Sequence, residues 1–279
     1  MSFDGERLLK PLQSLIQSTK VPREDLDPER VHKLRTTTRR VEAILSAVEV
    51  AKPRARRQLL RSLKKVRRAA GVVRDMDVLT GKAADVSVAK ERNCQVKLLQ
   101  YLGAKRQVKA DELARAMKKH GKEIRDELKR CEKEVKPLLS VKQGSRQVEE
   151  EAHASARALE LSMELRRFSK LGRANLHEYR KTGKQLRYVL QMAQAKDEAL
   201  LEGLRDMQDA IGEWHDWEEL VGIANKVLDH GHKCGLLREL QLHADDSFDH
   251  ALRIAAGMRK RFLSAGEKRV VAASGQLVA

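Results

Sequence analysis

Two blocks of this sequence recur in the same order and at nearly the same spacing. VHKLRTTTRRVEAIL at 31–45 aligns without gaps to LHEYRKTGKQLRYVL at 176–190, placing His32 on His177, Arg35 on Arg180 and Arg39 on Lys184. GVVRDMDVL at 71–79 aligns to GEWHDWEEL at 212–220, placing Gly71, Asp75 and Leu79 on Gly212, Asp216 and Leu220, and Asp77 on Glu218. The offsets are 145 and 141 residues. One amphipathic helix matches another readily by chance, but two ordered blocks at nearly one offset indicate duplication. The expectation is an all-α chain of two helical bundles related by a pseudo-two-fold axis, with a cleft or face where the halves meet. The first half-repeat falls at about 1–140 and the second at about 141–279.

Helices follow from the apolar spacing. Prolines occur only at 11, 22, 28, 53 and 137, and the stretches between them repeat with helical rather than alternating period. In 31–48, Leu34, Val41, Ile44, Leu45 and Val48 fall on one side of a 3.6-residue wheel. Asp27-Pro28-Glu29 supplies an N-cap, a proline at the first helical position and an acid in the first turn, so a helix starts there. Lys52-Pro53 ends it and opens the next, with Leu59, Leu60, Leu63, Val66 and Ala70 inward. Further helical patterns run over roughly 90–135, 145–171, 176–195, 198–230 and 235–263, and the tail after Phe262 reads as frayed. Asn175 with Glu178 has the spacing of a capping box, which places His177 in the first turn of its helix.

Charge points to the partner. The chain carries 57 Lys and Arg against 40 Asp and Glu, a net +17, which draws in polyanions. Aromatics are only 3%, which counts against a single-strand nucleic-acid binder that holds bases on stacking platforms. Cys94, Cys131 and Cys234 are odd in number and widely spaced, as expected of a reducing cytoplasm. The N-terminus reads as no signal peptide, and no apolar run approaches a membrane span, so a soluble cytoplasmic protein without a membrane partner is expected.

The charge is concentrated. Between Arg30 and Arg74 stand fifteen Lys and Arg and two acids, Glu42 and Glu49. His32, Arg35 and Arg39 share a face opposite the Leu34/Val41/Leu45 stripe, and Arg54, Arg57, Arg61, Lys64, Lys65 and Arg68 line the outward side of the next helix. In the second half the corresponding set is His177, Arg180, Lys184 and Arg187, with Lys181 alongside. A solvated helix normally mixes signs, gaining roughly 0.2–0.5 kcal/mol per i,i+4 ion pair. Residues 104–135 do so and read as ordinary surface; 54–68 does not, and its cations repel one another unless an anion relieves them. Arg forks suit paired phosphate oxygens. A His near a helix start can donate to an anion, and gains charge once the anion raises its pKa.

At these residues the sequence resembles the CHAD family, the conserved-histidine α-helical domains. The family opens with a motif close to VHxLRVxxRRLRAxL, met here by VHKLRTTTRRVEAIL, and its second-half motif, near LHxLRKxxKxLRY, is met by LHEYRKTGKQLRY at 176–188. The RDxDV element stands at Arg74-Asp75-Met76-Asp77-Val78. The resemblance spans the chain and implies a single CHAD-like domain over 1–279 that binds inorganic polyphosphate along a basic surface, with an association with cytoplasmic polyphosphate granules. Carried over at matching positions, the ligands are His32, Arg35, Arg39, Arg40, His177, Arg180, Lys181, Lys184 and Arg187. The stripe adds Arg57, Arg61, Lys64, Lys65 and Arg68. Two departures stand out: Thr36-Thr37 replace a small apolar pair, and His215 stands where the first half has Arg74.

Catalytic signals are missing from the sequence. No P-loop, GxSxG or HExxH occurs, so neither catalytic residues nor cofactor are assigned. Asp229-His230-Gly231-His232-Lys233-Cys234 is metal-like but has no distant partner pair, and no metal is assigned there. Trp214-His215-Asp216-Trp217 looks like an active-site string, yet its match to RDxDV gives it a structural role, with Asp75 and Asp216 anchoring neighbouring Arg side chains. The competing readings are a DNA- or RNA-binding protein using the same stripes on a phosphate backbone, with weak non-specific nucleic-acid binding expected in any case, and an enzyme of polyphosphate or nucleotide metabolism.

Overall fold

The computed structural model describes residues 5–20, 22–47, 53–89, 91–138, 146–192, 197–229 and 234–263. Helices are α1 (Gly5–Ser18), α2 (Pro28–Ala47), α3 (Pro53–Asp85), α4 (Arg92–Leu138), α5 (Arg146–Arg167), α6 (Leu176–Met192), α7 (Glu198–Val227) and α8 (Gly235–Met258). A short 3-10 turn at Arg23–Asp25 precedes α2, and a π-helical turn at Arg259–Leu263 extends α8. No strand occurs among the described residues.

The start of α2 is set as its sequence requires. Asp27 Oδ1 accepts from the backbone N–H of Arg30 at 2.8 Å and the Asp27 carbonyl accepts from Val31 at 3.0 Å, so Asp27 caps a helix whose first residue is Pro28. The capping box expected at the start of α6 does not form. Asn175 turns its side chain backwards, its Oδ1 accepting from Gly172 N–H at 2.9 Å and its Nδ2 donating to the Lys170 carbonyl at 2.8 Å. Glu178 pairs instead with Lys181 at 3.1 Å. The α5–α6 connection has its own backbone groups to satisfy, and they take the amide that the helix would have used.

The chain divides into two compact units: residues 1–85 with 95–142, and residues 86–94 with 143–279. The first is built on α1–α4 around Leu12, Leu15, Val31, Leu34, Val41, Leu45, Leu59, Leu63, Val66, Leu113, Ile124 and Leu128. The second is built on α5–α8 around Leu161, Leu165, Leu176, Tyr179, Leu186, Leu204, Met207, Ile211, Trp214, Ala251 and Phe262. Leu60 is partly buried beside the first core. The side chains of Ile44 and Val48, and the tail after Leu263, lie outside the described residues.

Positions matched between the two blocks are buried alike. Val31/Leu176, Leu34/Tyr179, Val41/Leu186, Leu45/Leu190 and Val73/Trp214 are core in their units, and Met76/Trp217 and Leu79/Leu220 are buried as well. Within unit 2, α6 and α7 cross tightly at Gly183, where a Cβ would lie 2.3 Å from Met207 Cε.

Candidate functional site

In each unit the matched arginine crosses to the next block's matched glycine. Arg35 on α2 lies over Gly71 of α3, its Nε 3.5 Å from where a Cβ would stand; Arg180 on α6 lies over Gly212 of α7, its Nη2 at 2.7 Å from that position. Arg180 is held there by donating from Nε to the Gln208 carbonyl at 2.9 Å, while Gln208 Nε2 donates to the Gly183 carbonyl at 3.3 Å. A side chain at Gly212 would compete with the guanidinium for space, whereas a methyl at Gly71 would only touch it. Arginine and glycine match together in the two blocks, but sequence spacing alone does not show that they touch.

The histidines sit beside these arginines. His32 is exposed on α2, and His177 is half-buried in the first turn of α6. His177 packs edge-on against His215 with ring centroids 5.0 Å apart, and His177 Nδ1 is buried without a hydrogen-bond partner. His215 therefore joins the site at the position matched to Arg74, and Arg74 is near enough to act on His32. Burial, then the Arg74 and Arg35 charges, lower the His32 pKa below its ordinary 6.5. For His177 burial again comes first, followed by His215, Lys181 and Arg180, with Glu178 opposing them. Both imidazoles are therefore poised to gain a proton when negative charge arrives.

Arg57, Arg61, Lys64, Lys65 and Arg68 are all exposed along α3, with Leu59, Leu63 and Val66 buried behind them. From Arg57 to Arg68 this face is about 16 Å long at 1.5 Å per residue. Arg67, on its flank, donates from Nε to Glu42 Oε2 at 2.6 Å. Burial raises the Glu42 pKa against the opposing charges of Arg67, Arg39 and Lys64, so the α2 and α3 basic sets converge around this one half-buried acid. Arg39 is half-buried and Arg40 exposed. Thr36 donates its hydroxyl to the His32 carbonyl at 3.0 Å and Thr37 is buried, so the two threonines pack without displacing the cations.

In unit 2, Lys184 and Arg187 are half-buried and Lys181 is exposed. Arg187 Nε is buried without a partner. Asp77 and Glu218, at matched positions of the two blocks, each take an arginine. Asp77, whose side chain is 3% exposed, takes Arg106 Nε at 2.5 Å, and Arg106 Nη2 reaches the Leu26 carbonyl at 2.7 Å. Glu218 takes Arg173 and accepts from Trp214 Nε1 at 3.2 Å. Trp214 and Trp217 are both buried, while His215 between them faces His177.

The mixed-sign surface of 104–135 also holds a feature that helical periodicity does not show. Arg115, Lys118, Lys122 and Arg125 gather with Lys20 and Asp111 around a cavity of about 690 Å³, to which none of the stripe residues contributes. Arg125 is tied to the Thr19 carbonyl at 3.0 Å.

The family model of the CHAD domain matches residues 6–225, more than three-quarters of the chain and both histidine blocks. The chain belongs to the CHAD family. The fold agrees: the CHAD domain of the plant Ricinus communis superposes with a TM-score of 0.50 at 19% identity, over 97% of this chain and 91% of that one. No curated protein matches this sequence. Beyond the matched residues, α8 and its π-turn complete the unit 2 core.

Proposed function

We propose that this CHAD domain is a non-catalytic module that binds inorganic polyphosphate. His32, Arg35, Arg39, Arg40, Arg57, Arg61, Lys64, Lys65 and Arg68 supply the binding surface of unit 1. His177, Arg180, Lys181, Lys184 and Arg187 supply that of unit 2. The observation that carries this reading is the exposed face of α3, where five cations stand with no acid between Pro53 and Arg74 in the sequence. Such a face is destabilising by itself and is relieved by a dense line of negative charge. Guanidinium groups meet pairs of phosphate oxygens, and the two histidines add hydrogen bonds that become charge-assisted once they protonate. No helix among the described residues is long and apolar enough to cross a membrane. The setting that goes with polyphosphate binding is the cytoplasm, in association with polyphosphate granules.

Nucleic acid offers the same phosphate charge, but its bases would need partners. Both tryptophans lie in the core and are not available for stacking. Calorimetry with long-chain polyphosphate, duplex DNA and free phosphate at about 150 mM salt tests the reading. Polyphosphate should bind tightest, with an affinity that falls as salt rises because counterions are released. Equal or tighter binding of DNA would overturn it.

A further inference from the structure

One corner of unit 2 holds chemistry that polyanion binding leaves unused. Glu91 lies just before α4, Cys94 in its first turn, and Cys234 immediately before α8. One carboxylate oxygen and the two sulfur atoms all lie within 4.8 Å of one another. Cys234 is fully buried and Cys94 is 8% exposed. Glu91 Oε1 accepts from the backbone N–H of Gly235 at 2.9 Å, which fixes the carboxylate, and Oε2 faces Cys234 Sγ at 3.9 Å.

We propose that Glu91, Cys94 and Cys234 form a binding site for a thiophilic divalent metal ion, zinc by ligand class, which clamps residues 86–94 to the start of α8. Two thiolates and a carboxylate are a donor set that suits zinc, and three protein ligands leave the fourth tetrahedral position to water. Zinc–ligand distances of about 2.0–2.3 Å require donors roughly 3.5–3.8 Å apart; Cys234 Sγ and Glu91 Oε2 already stand at 3.9 Å, and no separation has to close by more than about an ångström to grip an ion. The donors come from two segments far apart in the chain, so no local rule of sequence brings them together. Cys131 makes the contrast: it is buried in the apolar core of unit 1, where a cysteine is an ordinary small hydrophobe. The hydrogen bond from Gly235 holds the carboxylate in place, as the ligating carboxylates of metal sites are usually held. Without an ion, the hydrogen bond to Glu91 and then burial push the Cys94 thiol up to about 12, so loading the site sends thiol protons to solvent.

The test uses the full chain carrying no metal-binding tag, stripped with a chelator and titrated with Co²⁺. The expected result is a thiolate-to-cobalt charge-transfer band that saturates at one equivalent, persists in Cys131→Ser and is abolished by adding Zn²⁺. The Cys94→Ser/Cys234→Ser variant should lack the band. Absence of the band in the unaltered protein would overturn the proposal, and so would its persistence in the double-serine variant at unchanged helicity. The readout involves no polyanion, so its outcome is separate from that of the polyphosphate reading.

Discussion

Replacing Arg57, Arg61 and Lys64 by Glu removes three exposed cations from the α3 face and puts three anions in their place. An exposed charge pair at the strong end of its range contributes about 0.7–1 kcal/mol, so losing three attractions costs about 2–3 kcal/mol. Three repulsions of similar size bring the total to about 4–6 kcal/mol, or roughly a 10³–10⁴-fold loss of affinity for long-chain polyphosphate. The neutral triple Arg57→Gln/Arg61→Gln/Lys64→Gln isolates the first half of that effect, at about 30–150-fold. Its salt slope should fall by about two to three, since each cation that neutralises a phosphate releases nearly one counterion. The unliganded neutral variant should also be more stable than the parent, by about 0.5–1 kcal/mol from relieved i,i+4 repulsion, which raises the thermal midpoint by about 2 °C. Calorimetry across a salt series gives the affinities, and circular dichroism checks that helicity is unchanged. The control is Arg115→Glu/Lys118→Glu/Lys122→Glu, the same charge change at the unit 1 cavity, which should cost less than tenfold. Equal losses in the two reversal triples would show that only net charge matters, and normal affinity in the α3 triple would refute the site.

Because His32 and His177 have lowered pKa values when unliganded and a bound anion raises them, binding should take up protons and tighten as pH falls from 8 to 6. The dependence of the calorimetric enthalpy on buffer ionisation measures that uptake, and His32→Gln with His177→Gln should abolish it. The unliganded protein should show the opposite trend, losing stability as pH drops through 6.5, because unfolding frees both imidazoles to protonate. Gly212→Ala puts a methyl 2.7 Å from Arg180 Nη2 and should weaken polyphosphate binding several-fold, whereas Gly71→Ala, at 3.5 Å from Arg35 Nε, makes an ordinary contact. The second variant should gain about 0.5–1 kcal/mol of stability from helix propensity; equal effects of the two on affinity would refute the Arg-over-Gly reading. Arg106→Ala leaves Asp77 buried and unpaired and should cost about 3–5 kcal/mol in urea unfolding, and a loss under 1 kcal/mol would show that the pair is not a structural anchor.

Much of the fold was legible because the repeat and the helical period carry the same information twice. Asp27-Pro28-Glu29 announced α2, and the matched apolar positions proved to be core in both units. The positions of the basic stripes followed from the same period, since a core stripe fixes what faces outward. Other features depended on contacts that periodicity does not encode. An asparagine amide before a helix can face forwards to cap it or backwards to close a turn, and at Asn175 the needs of the Gly172 turn decided the matter. His215 looked like a lost arginine, yet it stands against His177 as a second imidazole. The cavity at Lys20 needs α1 and α4 brought together, and Glu91, Cys94 and Cys234 meet only after the chain has returned. His230 and His232, singled out as metal-like, lie outside the described residues.

Residues 86–94, which run from the end of α3 into the first turn of α4, belong to the second unit, so neither unit is one continuous stretch of chain. During synthesis this segment emerges long before its partners: Glu91 precedes Gly235, whose backbone it caps, by 144 residues. At roughly 5–20 residues per second the ribosome needs about 7–30 s to supply the rest, far longer than helices take to form. The first bundle can therefore assemble while this segment still lacks the helix it will hold. A cut between 142 and 143 would yield no self-sufficient halves, since it would strip the second unit of the strap that holds the start of α8.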